Sequence, residues 1–338
     1  MALDVFQRIQ IGLNDKRQNL AEQLETASNT EKNIWLCEDE TCVEEHLHVI
    51  DESLGKIEDG TLGICTVCHG IVDHNLLEMD YTACVCLDHY SNEERRRLES
   101  ELEMSQVVQR ALLPQRLPVI AGVEVAAFSR PAEIIGGDYF DFFKFRDGAH
   151  GLVIADVSGH GVSAGMLMTS LQTAIQTMAP DSNSPDEILE RLNRFYIHNI
   201  NFTTFVTIFL ARFDPRDRTL TYVNSGHNPP AVFSKDTSMI KWLTRTAPAI
   251  GLSEHYYSRT ASVQLSSGDV LMLYTDGLTE AINDGMEQFG QERLAEFLQS
   301  SADLSASSLV QVVRESIGNF TGGVRLSDDL TLVALKVS

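Results

Sequence analysis

Positive charge is scarce in this sequence. Its 338 residues include 26 lysines and arginines against 48 aspartates and glutamates, which gives a formal net charge of −22. A surface of that charge repels phosphate backbones and anionic headgroups, so nucleic acid and membranes are disfavoured as partners. The chain also lacks the run of roughly 18 apolar residues that a membrane-spanning helix needs, and its first residues have no apolar signal-peptide core. We therefore expect a cytoplasmic protein.

Cysteine is absent after residue 86, although six cysteines occur up to that point. This asymmetry predicts a domain boundary. In a reducing cytoplasm, the grouping of the cysteines favours metal binding over disulfides. The pattern divides the chain into an N-terminal domain over 1–90, a charged linker helix over 91–117 and a C-terminal domain over 118–338.

The N-terminal domain and the linker have helical patterns. Apolar residues recur on one face over 1–28, and a second helix is predicted over 43–57, before the turn at Asp59-Gly60. These segments indicate a helical hairpin. The linker helix, predicted over 91–113, has an apolar stripe that either packs on the next domain or forms the coiled coil of a homodimer. The stripe consists of Leu98, Leu102, Val108 and Leu112.

Two pairs of metal-ligand residues follow the hairpin. Cys65 and Cys68 form a C-x-x-C pair, and Cys86 and His89 form a second pair after 17 intervening residues. Two such pairs can close a tetrahedron around one ion, which suits zinc. Cys84 is an alternative to His89 as the fourth ligand, and the spacing leaves that choice open.

Residues 40–90 resemble the zinc finger of the DksA/TraR family, in which a glycine-containing segment leads from a helical hairpin into two C-x-x-C pairs. The lead-in here runs from Asp59 to Gly63, and Ala83 precedes the second pair. The chain departs from the family by placing His89 where a fourth cysteine is usual, but a Cys₃His set also holds zinc. The resemblance implies one structural zinc ion.

Strand-like segments and paired helices alternate after Pro118. Such an order predicts an α+β domain built in layers. Strands are predicted near 123–129, 138–146, 151–156, 203–213, 218–224, 259–265, 269–275 and 329–337. Helices are predicted over 161–179, 185–199, 290–299 and 305–319.

Four short motifs place carboxylates at the ends of apolar strands. Converging carboxylates repel one another unless cations lie among them, so the motifs favour a site for hard divalent ions. Two such ions can share a carboxylate, lower the pKa of a water and hold a phosphate. Asp329 is an alternative to Asp328, because adjacent aspartates are indistinguishable in sequence. The motif aspartates are Asp138, Asp156, Asp276, Asp328 and Asp329.

At these motifs the chain resembles the PPM (protein phosphatase 2C) superfamily, and within it the bacterial SpoIIE/RsbU branch. The resemblance runs from Glu101 to the C-terminus and includes the segments Ala111–Gln115 and Asn224–Pro229. It implies a four-layer α-β-β-α sandwich of antiparallel sheets and a protein serine/threonine phosphatase without a covalent phosphoenzyme. The implied substrate is a phosphorylated STAS-domain anti-sigma-factor antagonist.

The resemblance also implies a role for each motif residue. Asp156 would bridge two Mn²⁺ or Mg²⁺ ions, with the Val157 carbonyl as a further ligand. Asp276 and Asp328 would complete the shell of the other ion, and Asp138 would bind directly or through water. The glycines expected to allow close backbone approach to the ions are Gly137, Gly159 and Gly277.

Other residues near the motifs have open roles. His160 either donates a proton to the leaving oxygen or supports a turn, and His227 is expected to support loop geometry. Glu280 and Asp141 are expected to be structural or to lie behind the ligands. Arg130 is a weak candidate for holding phosphate, so the metal ions would supply most of the phosphate binding.

The order of zinc module, helix and enzyme suggests that the zinc module controls the phosphatase through the linker helix. The alternative is a transcription-associated adaptor that acts on RNA polymerase through the zinc hairpin, with a weak phosphatase domain. The complete set of motif aspartates argues against an inactive enzyme.

Overall fold

A computed structural model describes residues 6, 7, 9, 10, 13, 14, 17, 41–72, 77, 81–89, 91–132, 134–159, 161–199, 205–253, 256–323, 326 and 328–338. The predicted helix over 1–28 lies largely outside these residues. The chain divides into two compact units, of which the first ends at Glu101 and the second comprises Leu102–Asn199 and Thr204–Ser338. Among the described residues, no helix has both the length and the apolar character needed to cross a membrane.

The first unit contains helix α1, Thr41–Glu58, which confirms the helix predicted over 43–57. It ends as predicted, because Gly60 adopts a φ of +65° and the chain turns back so that Thr61 N donates to Lys56 O at 2.8 Å. Glycine enters this left-handed region without a steric penalty. A short 3₁₀ helix, Leu87–His89, follows in the cysteine-rich segment.

Helix α2, Asn92–Leu112, confirms the helix predicted over 91–113. Its predicted apolar stripe is divided in the structure, because Leu102 and Leu112 are half-buried whereas Val108 is 55% exposed. Val108 instead lies one turn after Met104 and directly after Val107, and both of these side chains are exposed. The part of α2 from Leu102 onward belongs to the second unit.

The second unit is built on two five-stranded antiparallel sheets. The strands are β1 Val123–Arg130, β2 Tyr139–Lys144, β3 His150–Val157, β4 Val206–Asp214, β5 Thr219–Ser225, β6 Ala231–Ser234, β7 Met239–Trp242, β8 Ala261–Gln264, β9 Val270–Tyr274 and β10 Leu330–Val337. One sheet has the order β1-β10-β9-β6-β7 and the other the order β2-β3-β4-β5-β8.

The sheets pack face to face between two helical layers. Phe209 and Tyr222 of one sheet stack with ring centroids 5.2 Å apart, and they share a buried cluster with Leu271 and Val333 of the other sheet. Burial of each such side chain contributes about 1.5–3 kcal/mol. The helices of this unit are α3 Gly161–Met178, α4 Pro185–Asn199, α5 Asp276–Thr279, α6 Gly290–Ser301 and α7 Ala306–Thr321. Helices α3 and α4 cover the sheet containing β3, and α6 and α7 cover the sheet containing β10.

The β6–β7 hairpin was not predicted from the sequence. Each strand has only four residues, which is too short for an alternating pattern to stand out. Pairing with β9 nevertheless buries Ala231, Val232 and Phe233. Tertiary pairing, rather than local preference, therefore makes this segment a strand.

Candidate metal centre and active site

Strand direction places the motif aspartates at two sheet edges. β9 ends at Tyr274 and its antiparallel neighbour β10 begins at Leu330, so Asp276 and Asp328 lie at the same edge. In the other sheet, β2 begins directly after Asp138 and pairs with the end of β3, which contains Asp156. One sheet therefore contributes Asp138 and Asp156, and the other contributes Asp276, Asp328 and Asp329.

Hydrogen bonds join the two edges. The Thr275 hydroxyl, beside Asp276, donates to Asp138 Oδ2 at 2.8 Å. Asp329, directly before β10, accepts from the backbone N–H groups of Ala132 and Gly137, both at 2.7 Å. The structure thus brings the motif aspartates of both sheets close together, and Asp138 and Asp329 line one pocket there.

The negative charges of these aspartates repel one another. Burial raises the pKa of Asp156 to about 8, and repulsion by Asp276 and Asp328 adds to the effect. Burial and the charge of Asp328 raise the pKa of Asp276 to about 6. Burial, followed by repulsion from Asp156, raises the pKa of Asp138 well above its ordinary value. A divalent cation among these carboxylates would offset the repulsion, so the set fits the metal site that the sequence predicts.

Asp328 and Asp329 have different surroundings. The carboxylate of Asp329 accepts the N–H groups of Ala132 and Gly137 and also that of Asp138, at 3.3 Å. These bonds occupy about three of the roughly four acceptor positions of a carboxylate. Asp328 accepts one backbone bond, from Asp329 N at 2.8 Å, and its charge raises the pKa of both Asp156 and Asp276. The geometry therefore favours Asp328 as the ligand and Asp329 as the residue that holds the glycine turn.

The predicted glycines differ in what they allow. A β-carbon on Gly277 would overlap the Asp329 carbonyl, and one on Gly137 would lie 2.9 Å from the Val157 carbonyl oxygen. Both positions thus need a close backbone approach. Nothing lies within 4 Å of a β-carbon built on Gly159, whose φ is +99°. The backbone conformation of Gly159 is itself reason for glycine there, and its close approach to an ion stays a prediction.

Two hydroxyls that the sequence reading missed support the pocket. Thr275 donates to Asp138, and its oxygen accepts from the backbone N–H of Thr331 at 3.0 Å. Both threonines are fully buried, and the Thr331 hydroxyl donates to Ser129 Oγ at 3.0 Å. Their positions next to the motif aspartates are the sequence signal by which these threonines could have been found.

Gln109 of α2 is a further residue that the sequence did not reveal. Its Nε2 donates to the Gly136 carbonyl at 2.6 Å, and its Oε1 accepts from the Gly136 N–H at 3.2 Å. One side chain therefore satisfies both backbone groups of the glycine that precedes Gly137 and Asp138. On the same helix, Gln106 donates to the Ile134 carbonyl at 2.7 Å.

The remaining predicted residues lie behind or beside the pocket. Asp141 accepts from the Tyr139 hydroxyl at 2.9 Å and from Gln176 at 2.7 Å, which fits a structural role. Glu280 adds to the repulsion on Asp156. Buried His227 contacts the Thr207 hydroxyl at 3.0 Å, and burial lowers its pKa to about 4. His160 lies outside the described residues.

A second cluster lies in the first unit. One ligand atom from each of Cys65, Cys68, Cys86 and His89 lies within 4.8 Å of the others. Within the part of the chain that the structure describes, no other group of three or more potential ligand residues is this tight. The Cys65 sulfur accepts from the backbone N–H groups of Val67 and Cys86, both at 3.4 Å, as thiolate ligands commonly do. The donor set fits zinc.

Cys84, the alternative fourth ligand, does not belong to this cluster. It is exposed, and its backbone carbonyl accepts from Thr66 N at 2.8 Å and from Thr66 Oγ1 at 3.1 Å. The 3₁₀ turn instead brings His89 to the sulfurs, with His89 N bonded to Cys86 O at 3.0 Å.

The sequence is similar to those of known bacterial proteins. The sequence model of the family described as Stage II sporulation protein E (SpoIIE) matches residues 146–338. Phosphoserine phosphatase RsbU of Bacillus subtilis is 28% identical over 244 residues, which cover 72% of this chain and 71% of RsbU. Protein IcfG of Synechocystis is 30% identical over 263 residues, which cover 70% of this chain and 41% of IcfG. Phosphoserine phosphatase RsbP of Bacillus subtilis is 24% identical over 243 residues, which cover 70% of this chain and 58% of RsbP.

Solved structures show the same architecture. The SiaA-PP2C domain of Pseudomonas aeruginosa superposes with a TM-score of 0.65 at 23% identity, covering 72% of this chain and 99% of that domain. The RsbU and RsbW domains of Rv1364c from Mycobacterium tuberculosis superpose with a TM-score of 0.55 at 28% identity, covering 65% of this chain and 61% of that chain.

Proposed function

Because the chain belongs to the SpoIIE family, we propose that it is a metal-dependent protein serine/threonine phosphatase. The observation that supports the proposal is the proximity of Asp138, Asp156, Asp276 and Asp328, whose charges repel one another. Two of the relatives, RsbU and RsbP, are phosphoserine phosphatases. The chain spans less than two thirds of RsbP and IcfG, so the proposal concerns the activity of the second unit.

The four aspartates and the Val157 carbonyl would hold two Mn²⁺ or Mg²⁺ ions. When bound, such ions polarise a phosphoryl oxygen and lower the pKa of a water. The chain's own residues keep the carboxylates in place. Thr275 orients Asp138, and Asp329 holds the turn that leads into it.

The activity is tested with the full chain, Mn²⁺ and a phosphoserine peptide. Loss of a ligand should lower the rate at least about 100-fold, because even partners of metal ligands contribute 10–100-fold. Asp156→Asn should show this loss. Asp236→Asn, at an exposed position, is the matched control and should keep the activity. Absence of phosphate release by the unaltered protein would contradict the proposal.

We further propose a phosphorylated STAS-domain anti-sigma-factor antagonist as the substrate. The similarity to RsbU over 72% of this chain supports this substrate class. The test is incubation of phosphorylated STAS-domain proteins from the same cell with this protein and Mn²⁺, with Asp156→Ala as the control. Release of phosphate from other phosphoproteins, and none from STAS-domain proteins, would leave a phosphatase with a different substrate.

We propose that the cluster of Cys65, Cys68, Cys86 and His89 binds one structural zinc ion and that this module controls the phosphatase. The tight ligand set supports the first part. Zinc content should fall from one ion per chain to none in Cys65→Ser, whereas Cys84→Ser should keep the ion. Control is tested by the phosphatase rate of Cys65→Ser with Mn²⁺ present. An unchanged rate would mean that the zinc site does not control the phosphatase.

The linker helix is proposed as a homodimer contact. Met104, Val107 and Val108 are 65%, 61% and 55% exposed on one side of α2, whereas Gln106 and Gln109 bond the second unit from another side. Replacing the three apolar residues with serine should convert a dimer into a monomer in sedimentation equilibrium. A monomeric parent protein would exclude the contact.

A further inference from the structure

A cavity of about 460 Å³ in the second unit adjoins the candidate metal centre. Its wall contains arginines from three separate elements, namely Arg110 of α2, Arg130 of β1 and Arg314 of α7. Asp138 and Asp329 also line it. An anion in this cavity would therefore lie next to the proposed site of phosphate release.

The three arginines make the mouth of the cavity positive in a chain whose net charge is −22. All three side chains are exposed, and in the described ranges no carboxylate forms an ion pair with any of them. Asp138 and Asp329 are only 6% and 8% exposed, and Asp329 is already engaged by backbone N–H groups. These acids leave the guanidinium groups available to a ligand.

Packing fixes one of the guanidinium groups. The Cζ of Arg314 lies 3.9 Å from the centroid of the Phe128 ring, which stacks the planar group and leaves its edge for hydrogen bonds. Arg130 and Arg314 also line a neighbouring cavity of about 850 Å³ along β1 and α7. The two cavities together have room for several residues of a polypeptide.

We infer that this arginine cavity binds an acidic side chain of the substrate protein close to the phosphorylated serine or threonine. Arginine pairs with carboxylates through two parallel hydrogen bonds, and a protein with this net charge repels acidic partners elsewhere. The inference rests on the proposed phosphatase function and adds a preference for acidic neighbours of the phosphorylated residue.

The test compares two phosphoserine peptides on the full chain with Mn²⁺. One has aspartate and glutamate beside the phosphoserine, and the other has asparagine and glutamine in the same positions. The unaltered protein should favour the acidic peptide by about tenfold in kcat/KM, as expected for two partly exposed charge pairs. In the double variant Arg110→Gln, Arg314→Gln this ratio should fall toward one through a higher KM for the acidic peptide.

Arg116→Gln is the matched control, because Arg116 is an exposed arginine close to Arg110 in the sequence and does not line the cavity. It should keep the tenfold ratio. An unaltered protein without preference would overturn the inference, as would a double variant that loses kcat/KM equally for both peptides. If the unaltered protein hydrolyses neither peptide, the phosphatase proposal itself fails.

Discussion

The two candidate metal sites of this chain are built in opposite ways. The cysteine and histidine ligands all lie between Cys65 and His89 and come within 4.8 Å of one another. The aspartates extend from Asp138 to Asp328 and come from the edges of two sheets. The first set is local in sequence and tight, whereas the second is distant in sequence and spread over a wider pocket. A site for two ions needs that wider spacing, because such ions lie about 3.5–4 Å apart.

This difference predicts that metal binding affects the folding stability of the two units in different ways. The first unit has a small buried cluster around Cys65, Val72 and Leu77, so we expect its cysteine-rich segment to need the proposed zinc ion for order. The second unit has large cores on both faces of its sheets, so it folds without metal. Its carboxylates then oppose folding, because they are buried close together.

The largest effect is expected from loss of the zinc site. Structural zinc contributes on the order of 10 kcal/mol in small domains, so Cys65→Ser should unfold the segment over 59–89. Hydrogen exchange should show its amides losing protection. Cys84→Ser, outside the cluster, is the control. Full protection of the segment in Cys65→Ser would show that the module does not need the ion.

Replacing a ligand of the carboxylate site should have the opposite effect and raise the stability of the metal-free protein. Asp156→Asn removes a buried charge that Asp276 and Asp328 repel, so the metal-free protein should become more stable even as activity is lost. At pH 8.5 the thermal midpoint of the second unit should rise by on the order of 10 °C. Asp236→Asn should leave the midpoint unchanged. A lower midpoint for Asp156→Asn would mean that the carboxylate stabilises the fold.

The same charge predicts a pH dependence. Burial raises the pKa of Asp156 to about 8 in the folded protein, above its unfolded value of about 3.9. A carboxyl whose pKa rises on folding contributes its full stability below the unfolded pKa and loses it as pH rises through the folded pKa. Between pH 6.5 and 8.5 the metal-free protein should therefore lose on the order of 5 °C in thermal midpoint.

The Asp156→Asn variant and added Mn²⁺ check this pH dependence. Either should flatten the fall between pH 6.5 and 8.5, since one removes the titrating carboxyl and the other offsets its charge. The lower limit of this window avoids His227, whose pKa is lowered to about 4 by burial and which affects stability at more acidic pH. A fall of the same size in Asp156→Asn would place the titration at another group.

Much of the fold was predictable because it is periodic. The α4 helix has the predicted bounds, 185–199, and β9 is an apolar run with all residues buried. The β6–β7 hairpin was missed because its pairing with β9, rather than its own pattern, makes it a strand. Local patterns thus reveal elements that are long, and they miss those that tertiary contacts create.

The sequence indicated which aspartates lie close together but not the hydrogen bonds that hold them. Their positions at strand ends were the signal, and strand direction explains why Asp276 and Asp328 lie at the same end of their sheet. Which of Asp328 and Asp329 holds the glycine turn depends on atoms from opposite sheets, so sequence spacing could not resolve it. The choice between Cys84 and His89 likewise depended on one short 3₁₀ turn.

The smallest expected effect tests a support that the sequence did not reveal. Thr275→Val keeps the shape of the side chain but removes the hydroxyl that donates to Asp138 and accepts from Thr331 N. Freed from this bond, Asp138 should bind the cation less well, by about 10–100-fold in Mn²⁺ affinity. The measurement is the Mn²⁺ concentration that gives half-maximal activity. Thr173→Val, on an exposed face of α3, is the matched control. Because the carboxylate site is assembled from distant strands, its affinity should respond to this single cross-sheet bond, and equal Mn²⁺ dependence in both variants would contradict that view.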